Sequence, residues 1–196
     1  MIKFIKYIRK HFPLIWIIIE AINTFLVKIR YEKNIDIAIS KVLHKYTDEY
    51  QFKELGISDI RSLADFFIHQ PEGFDEYFKP HGFDEKSILK TMKREYIRMF
   101  TVNDNGQIIG YFFLRFFATG KAFRGKIVDM NYRGRGIAKM MGACATEIAF
   151  LSGFRLMGTI SKKNIASINS SKAVNNINII KELDDGYIYV EYLSKG

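Results

Sequence analysis

In Val128-Asp129-Met130-Asn131-Tyr132-Arg133-Gly134-Arg135-Gly136-Ile137-Ala138, an apolar β-like segment, a turn punctuated by glycine and the start of a helix follow without a gap. That juxtaposition constrains the fold more than any other stretch, because it fixes a helix N-terminus directly at the end of a strand. Glycines at 134 and 136 remove Cβ atoms where a backbone must come close to a ligand. The helix that starts near Gly136 aims its unpaired N–H groups and positive dipole end at the turn. The residues alone support two readings. One is a turn that holds a pyrophosphate-sized anion; the other is an ordinary strand, turn and helix with solvated arginines, or Arg-Gly pairs that bind nucleic acid.

Known nucleotide loops have a different spacing. No GxxxxGK[ST] is present, and a GxGxxG fingerprint needs a small residue where Lys139 stands. Downstream, apolar residues at 137, 140, 141, 144, 148 and 151 recur with helical period, and Gly153 is placed to end that helix. Arg155 to Ile160 reads as a strand, and Asn164-Ile165-Ala166-Ser167 opens another helix. Upstream, Tyr50 to Leu55 suits a strand, Ser58 and Asp59 cap a helix through His69, and Phe83 to Arg94 suits a second helix. Tyr96 to Val102 and Gln107 to Phe117 flank Asn103-Asp104-Asn105-Gly106 as a hairpin, and Phe123 to Asp129 supplies the strand before the loop. Ile177 to Leu183 and Tyr187 to Leu193 close the chain as a hairpin about Asp184-Asp185-Gly186.

Arg133-x-x-Gly136-x-Ala138 resembles the R/Q-x-x-G-x-G/A signature of the GCN5-related N-acetyltransferase (GNAT) superfamily, and Asn164-x-x-Ser167 resembles its second motif. The resemblance covers roughly residues 50 to 193 and extends to the order of elements. It implies an α/β (α+β) fold with a central mixed, largely antiparallel sheet flanked by helices, in a domain from 49 to 196. It also implies acetyl-CoA as co-substrate. Arg133, Gly134, Arg135, Gly136, Ile137 and Ala138 would hold its pyrophosphate. Backbone groups of Ile127 and Val128 would hold the pantetheine and polarise the acetyl carbonyl, and the helix opened by Asn164 and Ser167 would lie along the same arm.

The chain departs from the family's pattern twice. Many members carry a Glu on the strand before the loop as general base, yet Phe123 to Val128 contains no carboxylate. Many carry a Tyr on the second-motif helix to protonate the departing thiolate, and the matching position here is Ser171. His81 is the first candidate base, since imidazole titrates nearest neutral pH, and Asp129 the second. The alternative for His81 is a hydrogen-bonded structural histidine, and for Asp129 a cap on the loop. A protein that binds acyl-CoA without turnover is the competing class.

The connection from His69 to Gly82 carries Phe74, Tyr77, Phe78 and His81 with the acids Glu72, Asp75 and Glu76. By resemblance it forms part of the acceptor pocket. Together with the Tyr187-to-Tyr192 ending, the chain looks like acetyltransferases found with bacterial surface-polysaccharide genes, which implies an amino-sugar acceptor; a small-molecule or peptide amine is the alternative.

The single Cys144, on the apolar face of its helix, excludes an internal disulfide and reads as a core residue. No cluster has metal-ligand spacing. Of the net charge of +9, +5 falls in residues 1 to 33. Those cations bracket an apolar run, Phe12 to Val27, that is too short and too interrupted by Pro13, Glu20 and Asn23 to span a bilayer. On a helix, Lys3, Lys6, Lys10, Glu20, Asn23, Thr24, Lys28 and Tyr31 fall along a narrow polar stripe. Residues 1 to 48 are therefore expected to form an amphipathic extension. It contacts either an anionic membrane surface or protein, its own domain or a second copy. Asn34 to Tyr46 fits either a strand or a helix. Charge spread along the chain argues against nucleic acid as partner. The expected location is cytoplasmic, at the inner face of the membrane if residues 1 to 33 meet lipid.

Overall fold

Runs of β-branched and aromatic residues separated by tight turns build the centre of the molecule. The computed structural model describes residues 11–46 and 49–195. Its sheet has seven strands: β1 (Gln51–Glu54), β2 (Ile97–Asp104), β3 (Gln107–Phe117), β4 (Lys121–Val128), β5 (Arg155–Ser161), β6 (Asn176–Glu182) and β7 (Tyr187–Leu193). Their order is β1-β2-β3-β4-β5-β7-β6, and every neighbouring pair is antiparallel except β4 with β5. The mixed, largely antiparallel sheet is thus the one expected. At the β2–β3 turn Asn105 and Gly106 have φ of 47° and 84°. That left-handed pair is what a two-residue hairpin needs, and Asn and Gly tolerate it best.

Among the described residues five helices flank the sheet: α1 (Pro13–Leu43), α2 (Ile60–Ile68), α3 (Glu85–Met92), α4 (Ile137–Leu151) and α5 (Ile165–Val174). The α3 helix is shorter than its apolar pattern suggests, because the Asp84 carboxylate accepts the Ser87 amide at 2.9 Å and fixes the start there. A 3₁₀ turn, Ile57–Asp59, precedes α2, and the Asp59 carboxylate accepts the Gly56 amide.

Asn34 to Leu43 adopts the helical option, continuing α1 without a break before a 3₁₀ turn at His44–Tyr46. Burial explains the choice: Ile35, Ala38, Ile39 and Val42 recur at helical spacing and are buried, whereas Ile37, which strand alternation would bury, is 44% exposed. This half of α1 shares one core with the sheet and α4, and Tyr31 packs on Phe154 with ring centroids 4.6 Å apart.

The other half of α1 is anchored by its polar residues. Asn23 donates to the Phe116 carbonyl at 3.1 Å and accepts the Ala118 amide at 3.0 Å. Glu20 accepts from the Tyr96 hydroxyl at 3.0 Å and pairs with Arg94 at 3.4 Å. The stripe through Glu20 and Asn23 therefore faces the domain. Lys3, Lys6 and Lys10, placed on the same stripe by sequence, lie outside the described residues.

Candidate active site

β4 and β5 pair over three positions only, Lys121 with Arg155, Ala122 with Leu156 and Phe123 with Met157. Beyond Phe123 each strand keeps its outer neighbour and loses the other, so the sheet forks. The fork opens a cleft of about 620 Å³, lined by β4 from Arg124 to Val128, the loop and start of α4, Thr159 and Ile160 of β5, and residues of α5 with its cap, from Asn164 to Ser171. The Asn164 side chain accepts the Ser167 amide at 2.9 Å, which sets where that helix starts.

The glycine loop has the geometry that close backbone approach needs. Gly134 and Gly136 sit at φ of 80° and 81°, and a Cβ built on either meets no atom within 4 Å. Both positions thus face open space in a conformation L side chains rarely adopt. Gly136 caps α4, and its carbonyl accepts the amides of Lys139 and Met140, which leaves the first amides of the helix without an intrahelical partner. Arg133, Gly134, Gly136, Ile137 and Ala138 all line the cleft. The guanidinium of Arg135 instead lies over the Tyr132 ring, 4.6 Å from its centroid. The donor set fits an anionic phosphate group.

Alternation along β4 gives the cleft two chemically different walls. Phe123, Gly125 and Ile127 face the α2 side. Phe123 itself lies just outside the cleft lining, its ring stacked on Tyr189 with centroids 5.9 Å apart. A Cβ on Gly125 would come within 2.4 Å of the Phe113 ring and 3.3 Å of Phe78, so only glycine lets these rings close over the strand. The connection before α3 brings Glu72, Phe74, Glu76, Tyr77 and Phe78 to the cleft. Asp75 pairs with Lys79 instead.

His81 lies behind this wall. Its Nδ1 is 2.7 Å from the Gly82 carbonyl, which can only accept, so Nδ1 carries the hydrogen and Nε2 accepts the Tyr111 hydroxyl at 2.8 Å. Burial holds the imidazole below its ordinary pKa, in the neutral form at neutral pH. Tyr111 is fully buried and sits directly across the ladder from Ile127. Asp129 is occupied in a different way: one carboxylate oxygen accepts the Asn131 amide at 2.8 Å and the other accepts Gln70 Nε2 at 3.0 Å. It caps the turn into the loop. Ser171 is buried and lines the cleft on the far side of β4.

The other wall holds two residues that do not stand out in the sequence. Arg124 donates to the Gly142 carbonyl at 2.7 Å, to Thr146 Oγ1 at 2.8 Å and to Asn175 Oδ1 at 3.1 Å, and lies 3.7 Å from the Tyr192 ring centroid. A buried guanidinium with only neutral partners ties β4 to α4 and the end of α5, at the first position past the fork. Lys126 donates to the Ala138 carbonyl at 2.6 Å. Burial first, and the Arg124 charge second, push its pKa down to about 7. The signal for both is a pair of cations at alternate positions of an apolar strand, together with a glycine inside α4. A Cβ on Gly142 would stand 3.1 Å from Lys126 Nζ and 3.7 Å from Arg124.

The sequence matches the Acetyltransferase (GNAT) family over residues 57–170, more than half of the chain. The chain belongs to that family. It is an acyltransferase with acetyl-CoA as co-substrate. No curated protein matches the sequence. Among solved structures, a ribosomal-protein-S5-alanine acetyltransferase from Vibrio fischeri superposes with a TM-score of 0.60 at 17% identity, covering 76% of this chain and 94% of its own. AAC(6')-Ib in complex with paromomycin and acetyl-CoA superposes with a TM-score of 0.58 at 13% identity, over 76% of this chain and 94% of its own. A spermidine N-acetyltransferase chimera that includes a Vibrio cholerae protein gives 0.57 at 17% identity, over 75% and 96%. At these identities the likeness is one of fold.

Proposed function

We propose that the protein transfers the acetyl group of acetyl-CoA to the amine of an amino sugar, as a step in making a bacterial surface polysaccharide. The acceptor side of the cleft carries this reading. Glu72 and Glu76 give it negative charge, which attracts an ammonium group, while Phe74, Tyr77 and Phe78 give it flat apolar surface for the face of a sugar ring. Two structural neighbours are named as acetyltransferases of a protein alanine and of spermidine, and a third is in complex with paromomycin, each of these molecules carrying an amine.

Bound acetyl-CoA supplies a thioester carbonyl as electrophile. The amides from Gly134 to Ala138 bind its pyrophosphate, and the backbone of Ile127 and Val128, which β5 leaves unpaired past the fork, orients the arm and the carbonyl oxygen. The amine must shed a proton as it attacks. His81 takes it through the Tyr111 hydroxyl, which already donates to Nε2 beside Ile127. Asp129 positions the loop. On the opposite wall the departing thiolate needs a proton. Lys126, held near neutral pKa, supplies it in place of the family's tyrosine, and Ser171 gives the room and a hydroxyl at the tyrosine's position. Residues 1 to 33 are assigned to a membrane surface or a second copy of the chain, and the enzyme to the cytoplasmic side.

Thiol release from acetyl-CoA over a panel of free and nucleotide-linked amino sugars, polyamines and peptides tests the acceptor. Release and N-acetyl product with the amino sugars is expected. Faster turnover of a peptide or polyamine would move the assignment to that class.

A further inference from the structure

The N-terminal half of α1 has its amphipathicity inside out. Glu20 and Asn23 are spent on Arg94, Tyr96 and the β3–β4 turn, so the polar side of the helix is turned toward protein. The side turned toward solvent is apolar. Leu14, Ile15, Ile17, Ile18, Ile22, Phe25 and Ile29 are each between 49% and 75% exposed. Solitary exposed apolar side chains are ordinary; a contiguous run over four helical turns marks a surface that something covers.

Charge decides what covers it. Between Phe12 and Val27 the only acidic or basic residue is Glu20, and it points inward. Cations bracket the apolar face: Lys3, Lys6, Arg9 and Lys10 precede it in sequence, and the exposed Arg30 and Lys33 follow it on the same helix. Pairing with a second α1 would set cations against cations in either direction, parallel or antiparallel, because both ends carry the same sign. An anionic lipid surface complements both ends at once and accepts the apolar side chains between them. Among the described residues no helix is long and apolar enough to cross a membrane, which fits a helix lying along the surface.

We propose that the outward face of α1 docks the enzyme on a bilayer rich in anionic lipid, with Leu14, Ile18, Ile22 and Phe25 inserted between headgroups. This docking face is separate from the acetyl-transfer cleft and stands whether or not the acceptor is a sugar. The test uses the full chain and vesicles of phosphatidylcholine with and without phosphatidylglycerol. Binding should need the anionic lipid and should weaken as salt rises, by about fivefold for each basic side chain whose attraction to the headgroups is screened. Ile18→Glu with Ile22→Glu should cut vesicle affinity by about a hundredfold or more while acetyl-CoA binding in solution is unchanged. Three results would overturn the proposal. One is wild-type protein that ignores anionic vesicles at low salt; another is a doubly substituted protein that binds them as well as wild type. The third is a wild-type dimer in light scattering that the two substitutions dissociate without altering vesicle binding, which would assign the face to a second copy.

Discussion

Replacing Gly136 with Ala separates the loop's role in binding from its role in folding. The residue sits at φ of 81°, where an L side chain costs roughly 1–2 kcal/mol in backbone conformation. No atom stands within 4 Å of the added Cβ, so no clash adds to that cost. For a chain of this size the melting temperature should fall by roughly 2–8 °C, well short of unfolding a domain with the usual ~5–15 kcal/mol of stability. In the proposed binding mode the methyl group projects into the space that a phosphate oxygen would cross to reach the loop amides. Losing one charge-assisted hydrogen bond there costs about 1.5–3 kcal/mol, so the CoA dissociation constant should rise roughly tenfold to a hundredfold. Gly153→Ala is the matched control, at φ of 83° and also with an unobstructed Cβ, but at the far end of α4. Titration calorimetry with CoA and thermal melts on both variants read the two effects apart. Equal CoA affinity in Gly136→Ala and Gly153→Ala, with both melting alike, would refute the loop as the phosphate site.

His81→Ala should lower turnover about a hundredfold or more with little change in the Michaelis constant for acetyl-CoA, and the acidic limb of the rate profile should disappear with it. Tyr111→Phe, which leaves the imidazole but removes the hydroxyl bonded to its Nε2, should give a similar loss if the proposed relay carries the proton; a loss below about threefold in both would return the pair to a structural role. Lys126→Met should change how stability depends on pH. The unfolded chain keeps this proton to about 10.5, whereas burial and Arg124 hold the folded value near 7, so in between the unfolded state binds one more proton. Wild-type stability therefore rises with pH across that window, by up to about 1.4 kcal/mol per unit, and the variant loses this slope. Its advantage over wild type should be largest below neutral pH and shrink toward pH ~10; a difference that stays flat in urea titrations would mean Lys126 is hydrated in the fold.

The parts of the fold that are periodic were legible in the sequence. Asn105-Gly106 announces its own hairpin, and the apolar positions of α4 announce a buried helix, because turn geometry and burial are both local properties. The fork between β4 and β5 was not legible. It depends on where a parallel pairing stops, and nothing in Phe123-Arg124 states this. Arg124 and Lys126 were missed for a related reason: each gets its meaning from a helix packed against the strand, and the clue, Gly142, lies sixteen or more residues away. The loop from Glu72 to Phe78 was placed at the cleft by family order, and the structure adds which of its acids arrives there. His81 was chosen for its titration range, and only the fold shows that both its nitrogens are already engaged. The polar stripe of α1 was correctly drawn as far as the described residues go, but a helical wheel cannot say which side of a helix meets protein. Here the polar side does.

In the proposed binding mode the forked cleft holds acetyl-CoA through the glycine loop on one side and Asn164 with the first turns of α5 on the other. Amide hydrogen exchange with and without CoA tests it directly. Protection should appear at residues 127–138 and at 164–171, with the amides of residues 13–26 unaffected. Protection confined to other segments, or none at saturating CoA, would rule this binding mode out.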